Sequence, residues 1–218
     1  MTAPVIAIVP MKDMSQAKTR LAPHVSPRDR CALAACMLED VLSALSGVRG
    51  LATIVITTDA RAQRIARAMG HETIDDEGQG ETAVVAAATA HLVRRGAIGS
   101  LVVPGDVPLV TDAEVGQILG ARPARGTVLV PSRSMRGTNA VLRSPPDLYP
   151  LKFGDDSFEP HRAEARKTRA CSCVLRLPGL GLDVDDADDL RELVRRPART
   201  RTHAFLAASG IAERLSCA

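Results

Sequence analysis

Short uncharged runs alternate along the chain with segments of helical spacing, and this alternation predicts the fold. Residues 4–9 form a β-branched strand without a charge, 51–57 repeat the type, and 71–74 are expected as a third, shorter strand. Between them, residues 31–45 and 61–69 carry apolar side chains at helical spacing, started by Ser26-Pro27 and by Thr58-Asp59. Strand, helix, strand, helix, strand is the order of a parallel α/β sheet. An alanine-rich helix follows over 83–95, then a strand at 101–103 that reads as buried on both faces. Thr111 with Glu114 has the form of a capping box opening a helix over 115–120. Strands at 126–131 and approaching 143, a helix from Ser157 through 167, a strand over 171–177 and a terminal helix over 202–215 complete the pattern. The expectation is one α/β domain spanning 1–218, with a mixed, mostly parallel central sheet flanked by helices.

Composition narrows the function. A chain of 218 residues can close its own core, and with 2% aromatics and no Trp that core is built from Ala, Val, Leu and Ile. So few aromatics exclude a base-stacking platform for single-stranded nucleic acid. A net charge of +3, with both signs interspersed, suits small anions better than a DNA surface. The five Cys are an odd number and no signal peptide precedes them, which places reduced thiols in the cytoplasm. Cys171 and Cys173, two apart on a strand, are expected as buried small fillers. No apolar run nears the roughly 20 residues of a membrane helix. The terminal helix leaves a homodimer open.

The candidate chemistry gathers at strand ends. Asp106 stops the apolar run 101–103 on a strand-to-helix turn, where open α/β sheets bind ligands. It reads as a metal ligand facing a phosphate, or as a turn aspartate bonded to its own loop. Lys12, Lys18 and Arg20 leave the first strand on one loop, an anion-binding arrangement able to meet a triphosphate. The acidic stretch 75–82 enters the alanine-rich helix, with Gly80 and Thr82 as candidates for base or ribose contacts. Arg133, Ser134, Arg136 and Thr138 concentrate charge and hydroxyls for a second anionic ligand. Ser157 caps the next helix, and His161 in its first turn is either a ligand-orienting group or a surface histidine. Asp183 and Asp185 alternate with apolar residues, so at a strand end they point one way, while Asp186, Asp188 and Asp189 serve the following helix N-terminus.

Neither G-x-G-x-x-G nor a Walker-type lysine is present, which argues against a dinucleotide fold or a P-loop NTPase. Three aspartates, a basic loop and a second Arg/Ser/Thr loop describe a site for two phosphorylated ligands and a divalent cation. Hard oxygen ligands select magnesium, with manganese as the alternative. A phosphate oxygen of one ligand then attacks the α-phosphorus of a nucleoside triphosphate and pyrophosphate leaves.

Taken together, Pro10-x-Lys12 with Ala17-Lys18-Thr19-Arg20-Leu21, Gly105-Asp106-x-Pro108-Leu109, Gly137-Thr138-Asn139-Ala140, Phe153-Gly154-x-x-Ser157-Phe158 with His161, and Leu182-Asp183-x-Asp185 resemble the guanylyltransferases of coenzyme F420 biosynthesis. The resemblance implies a nucleotidyltransferase-like fold of the GT-A, Rossmann-like kind. It implies GMP transfer from GTP to 2-phospho-L-lactate, phosphoenolpyruvate or 3-phospho-D-glycerate, small molecules all. Thr138, Gly154 and Ser157 would then bind the acid, with Arg133, Arg136 and His161 near it. Asp106, Asp183 and Asp185 would hold magnesium, and Lys12, Lys18 and Arg20 would steady the triphosphate. Gly80, Thr82 and Gly105 would complete the nucleotide side. Where the family often has Gly-Leu-Asn, this chain has Gly80-Glu81-Thr82. Three other readings compete: a molybdopterin or sugar-phosphate nucleotidyltransferase, a glycosyltransferase using Asp183-x-Asp185, and a nucleotide sensor that binds GTP without releasing pyrophosphate.

Overall fold

In the computed structural model, residues 4–75, 80–154 and 156–216 are described. Residues 76–79 of the acidic loop, Asp155 and Cys217 lie outside them. Three strands, β1 (Val5–Pro10), β2 (Ala52–Ile56) and β3 (Glu72–Ile74), alternate with α1 (Pro27–Ser46) and α2 (Ala60–Ala68) as the pattern predicts. Then come α3 (Glu81–Arg94), β4 (Gly99–Val102), α4 (Asp112–Gly120), β5 (Gly126–Pro131) and β6 (Thr138–Ser144). The chain ends with α5 (Phe158–Lys167), β7 (Cys171–Val174), α6 (Ala187–Arg195), α7 (Arg201–Ala208) and α8 (Ile211–Ser216). The seven strands form one sheet ordered β3-β2-β1-β4-β6-β5-β7, in which β6 alone runs antiparallel to its neighbours.

Side-chain alternation along each strand divides the core in two. Ala7 and Val9 of β1 face α1, joining Leu33, Met37 and Leu38, while Ile6 and Ile8 face α3 and α5 with Val85, Leu92 and Phe158. Helices on both faces explain why the central strands read as unbroken apolar runs. The carboxyl ends of β1 and β4 therefore emerge at one edge. Because β6 is antiparallel to β4, with Val102 opposite Val141, its first residue Thr138 lies at that same edge.

The structure departs from the sequence expectations at several points. Cys171 is exposed and Cys173 only partly buried, because β7 is the last strand in the sheet and lies at its edge. The four cysteines among the described residues are free thiols. Residues 183–185 form no strand of the sheet; the Val184 N–H donates to the Asp106 carbonyl at 3.1 Å and carries the aspartates to the edge that way. The terminal helix is broken into α7 and α8, and Asp40 on α1 caps α7 through Arg201 N and Thr202 N at 2.8 and 2.9 Å. No helix among the described residues is long and apolar enough to cross a membrane.

Half of the expected capping box forms. Thr111 Oγ1 accepts from Glu114 N at 3.2 Å and starts α4 at Asp112. The Glu114 carboxylate does not reach back. It is buried and accepts from the amides of Gly179 and Leu180 at 2.7 and 3.2 Å, fixing the turn that leads to Asp183. Truncating it leaves two amides without acceptors. Glu114→Ala is expected to cost about 1–4 kcal/mol in urea unfolding, at about 1–3 kcal/mol for the buried Leu180 amide and less for the half-buried Gly179 amide; a change below about 0.5 kcal/mol would show that the turn holds without it.

Candidate active site

The loop after β1 is built by short local bonds and one long-range aspartate. Asp13 accepts from Ser15 N at 2.8 Å, and Asp59, the N-cap of α2, accepts from Met14 N at 2.8 Å while Met14 is fully buried. Lys18 then takes a left-handed conformation, φ +55, which is uncommon outside glycine and is held here by surrounding structure. Its ammonium donates to Asp106 Oδ2 at 2.6 Å and to Asp185 Oδ1 at 2.9 Å. The side chain is only 8% exposed. Burial disfavours the ammonium, but the charges of Asp106 and then Asp185 outweigh it and raise its pKa above the ordinary lysine value. Burial likewise raises the Asp185 carboxyl, and Lys18 more than reverses this, leaving it below the usual carboxylate range. Lys18 thus sits on the carboxylates, whereas Lys12 and Arg20 are exposed on the cavity wall.

Two cavities meet at these residues. The first, of about 540 Å³, runs from Met11 and Lys12 past Gly80 to Gly105 and Asp106. Gly105 is close-packed: a Cβ there would stand 2.9 Å from Met11 Sδ. The second, of about 480 Å³, is lined by Arg133, Arg136, Thr138, Gly154, Ser157 and Asp183. Arg20, Glu81, Pro104, Asp106 and Asp185 line both. Glu81 is the group that sequence reasoning passed over. Burial, with the charge of Asp106 added, raises its carboxyl above the usual value. Its position next to Gly80 was the available signal.

On the second cavity, the Thr138 amide donates to Ser157 Oγ at 3.0 Å, so the Ser157 oxygen accepts from β6 and does not cap α5. Gly154 has φ +150, a conformation that favours glycine. Arg133 pairs with Asp189 at 3.3 Å, and Arg136 makes two hydrogen bonds to Asp156 at 2.6 and 3.1 Å. Two expectations need correcting. Thr82 is not among the residues lining the first cavity; its hydroxyl accepts from the Phe153 amide at 3.1 Å and ties α3 to the segment before α5. His161 does not line the second cavity either; it is fully buried, one helical turn beyond Ser157, with both ring nitrogens bonded to protein.

For a divalent cation the donor chemistry fits in part. Asp106 and Asp185 present hard oxygens that already converge on one positive charge, the Lys18 ammonium. Asp183 is held apart by Asn139, which donates to Asp183 Oδ1 at 3.1 Å and to the Leu180 carbonyl at 2.8 Å. Burial, together with the Asp106 charge, raises the Asp183 carboxyl. Among the described residues no three acidic, histidine or cysteine side chains are gathered closely enough to hold a metal as they stand. Asp188 and Asp189 do lie in the first turn of α6, with Asp186 as its N-cap and Asp189 reaching back to complete the capping box.

Burial lowers the His161 pKa from 6.5 to about 4, with Arg143 adding to the effect. The folded ring is therefore neutral where the unfolded chain binds a proton. Its contribution to stability is complete above pH 6.5 and is lost as pH falls toward about 4, at up to about 1.4 kcal/mol per pH unit. Urea unfolding between about pH 7 and about pH 5 is expected to show a steeper fall for the wild type than for His161→Asn. Equal slopes would mean that the ring is accessible to protons.

Comparison with known proteins places this geometry in a family. The family described as Guanylyl transferase CofC like matches residues 5–216. Phosphoenolpyruvate guanylyltransferase of Sphaerobacter thermophilus is 36% identical over 189 residues, covering 86% of this chain and 91% of that protein. The protein of the same name from Conexibacter woesei is 37% identical over 210 residues, 92% of this chain and 94% of its own. A 2-phospho-L-lactate guanylyltransferase of Methanothermobacter thermautotrophicus is 30% identical over 200 residues, 92% and 88% of the two chains. Among solved structures, a Desulfovibrio desulfuricans protein provisionally named a nucleotide-diphospho-sugar transferase superposes with TM-score 0.81 at 18% identity, covering 98% and 99%. A nucleotidyl transferase from Methanothermobacter gives TM-score 0.60 at 15% identity, covering 94% and 99%. The structural likenesses establish the nucleotidyltransferase fold, and the sequence likenesses establish the family: this chain belongs to the CofC-like guanylyl transferases.

Proposed function

We propose that this chain transfers GMP from GTP to a phosphorylated three-carbon acid, phosphoenolpyruvate or 2-phospho-L-lactate, and releases pyrophosphate, as a step of coenzyme F420 biosynthesis. We read residues 1–218 as one nucleotidyltransferase domain acting on small molecules in the cytoplasm. The observation that carries the reading is the meeting of two cavities at Arg20, Asp106 and Asp185, one with cations on its wall, the other with hydroxyls, arginines and the carboxylates of Asp183 and Asp189. Two phosphorylated ligands entering from opposite sides would bring their phosphates together there, which converts a bimolecular encounter into a positioned one.

In this reading the triphosphate lies along Lys12 and Arg20, and the acid lies against Thr138, Gly154 and Ser157. An oxygen of the acid's phosphate attacks the α-phosphorus of GTP. A phosphorus–oxygen bond forms there as the bond to the β-phosphate breaks, and the leaving electron pair goes out on pyrophosphate. No protein nucleophile takes part. Lys12 and Arg20 stabilise charge developing on the transferred phosphoryl group, and Lys18 holds Asp106 and Asp185 in register. Magnesium or manganese, when bound, would supply further charge neutralisation at the triphosphate, held by Asp106 and Asp185 with Asp183 as the third oxygen ligand.

The test is pyrophosphate release from GTP and magnesium with phosphoenolpyruvate, 2-phospho-L-lactate and 3-phospho-D-glycerate in separate reactions, repeated with ATP and CTP. Release with GTP and one acid is expected; silence with every acid, despite GTP binding, would sink the proposal. Asp106→Asn is expected to lower turnover by at least about a hundredfold while the far-ultraviolet circular dichroism is unchanged. Wild-type activity in that variant would remove Asp106 from the reaction centre.

A further inference from the structure

His161 sits beneath the acid-side cavity, touching its wall from behind. The ring is fully buried and meets Phe153 edge-on, with centroids 5.2 Å apart. The Lys152 amide lies 3.0 Å from Nε2. A backbone N–H can only donate, so Nε2 carries the lone pair and the proton of the neutral ring is on Nδ1. Nδ1 is 3.0 Å from Thr138 Oγ1, which makes that contact a donation from the ring to the hydroxyl.

This assignment decides what Thr138 can offer a ligand. Its oxygen already receives a proton donor, and its own O–H has no acceptor among the described residues. Ser157 is in the same condition: its oxygen accepts from the Thr138 amide, and its proton has no acceptor among the described residues. Both residues line the second cavity. We propose that His161 is a positioning residue of the acid site: donating from Nδ1, it turns the Thr138 proton into the cavity, where Thr138 and Ser157 together receive the anionic oxygens of the acid. The proposal rests on the acid-transfer reading above. His161 touches no substrate. It acts by denying the Thr138 oxygen to other donors, and by holding the Lys152 amide beside Gly154.

A plain core histidine would also be buried and bonded, so the test must read more than folding. Nitrogen-15 NMR of the wild-type imidazole is expected to show the Nδ1-protonated neutral tautomer near pH 7; the Nε2-protonated form would overturn the proposal. In steady-state kinetics, His161→Phe is expected to raise KM for the acid about tenfold while KM for GTP stays within about twofold, the loss of one hydrogen bond to a charged group. His161→Asn, whose side-chain amide can donate from near the Nδ1 position, should recover most of that loss. The double variant with Thr138→Val should be no weaker for the acid than Thr138→Val alone. Equal effects on both substrates, no recovery with Asn, or additive losses would each overturn it. Calorimetric titration with phosphoenolpyruvate separates the two readings. Binding that depends on Thr138 and His161 without turnover would sustain this proposal and remove the reaction, whereas turnover with acid binding indifferent to His161 would do the reverse.

Discussion

One buried ammonium holds the active-site edge together. Lys18 lies 88 residues from Asp106 and 167 from Asp185, yet bonds both. It thereby joins the loop after the first strand, the turn after the central strand and the segment before α6. The interaction is a doubtful source of net stability, since taking charges out of water offsets much of what the pairing returns. Its consequence is positional. With Lys18 replaced by an apolar residue, the two carboxylates at the junction of the cavities would lose the ammonium that both of them bond. The left-handed backbone at Lys18 is the local strain that this geometry requires.

The second constraint is topological. In a sheet of parallel strands only carboxyl ends reach the ligand edge, and they bring loops that must then open helices. The antiparallel β6 reverses this and delivers the beginning of a strand, Thr138 and Asn139, directly to the edge. A rigid strand is a firmer mount than a loop for a hydroxyl that must point one way. Asn139 uses the same mount to fix Asp183, and Ser157 with His161 clamps Thr138 from α5.

Much of the fold is legible along the chain because helices cover both faces of the central strands, leaving uninterrupted apolar runs, and because Ser26, Asp59 and Asp186 cap helices through bonds two or three residues away. The residue types of the site are legible for the same local reason: they cluster where those runs stop. What is not legible is which group each polar atom bonds. Thr82 holds Phe153 across 71 residues, Glu114 holds Gly179 across 65, and Lys18 prefers carboxylates to open solvent. Such partners depend on how the strands are ordered, and periodicity carries no information on that. Cys171 is misjudged by the same cause, since an edge strand and a covered one have the same period.

The charges on the acid side explain why hydroxyls matter there. Arg133 is engaged by Asp189, and Arg136 by Asp156, in pairs whose side chains are 48% and 65% exposed on the arginine side. Exposed pairs of this kind are screened by water and add little directed force on a ligand. Each guanidinium also already meets a carboxylate, which offsets part of its charge. The buried donors are different: Thr138 and Ser157 are 7% and 5% exposed, and their oxygens are already occupied by protein donors. A hydrogen bond from such a group to an anion is stronger for being out of water and needs no rearrangement when the ligand arrives. In the proposed reaction the arginines draw an anion toward the cavity, and its orientation against the α-phosphorus of the nucleotide falls to the two hydroxyls, and through them to the histidine behind the wall.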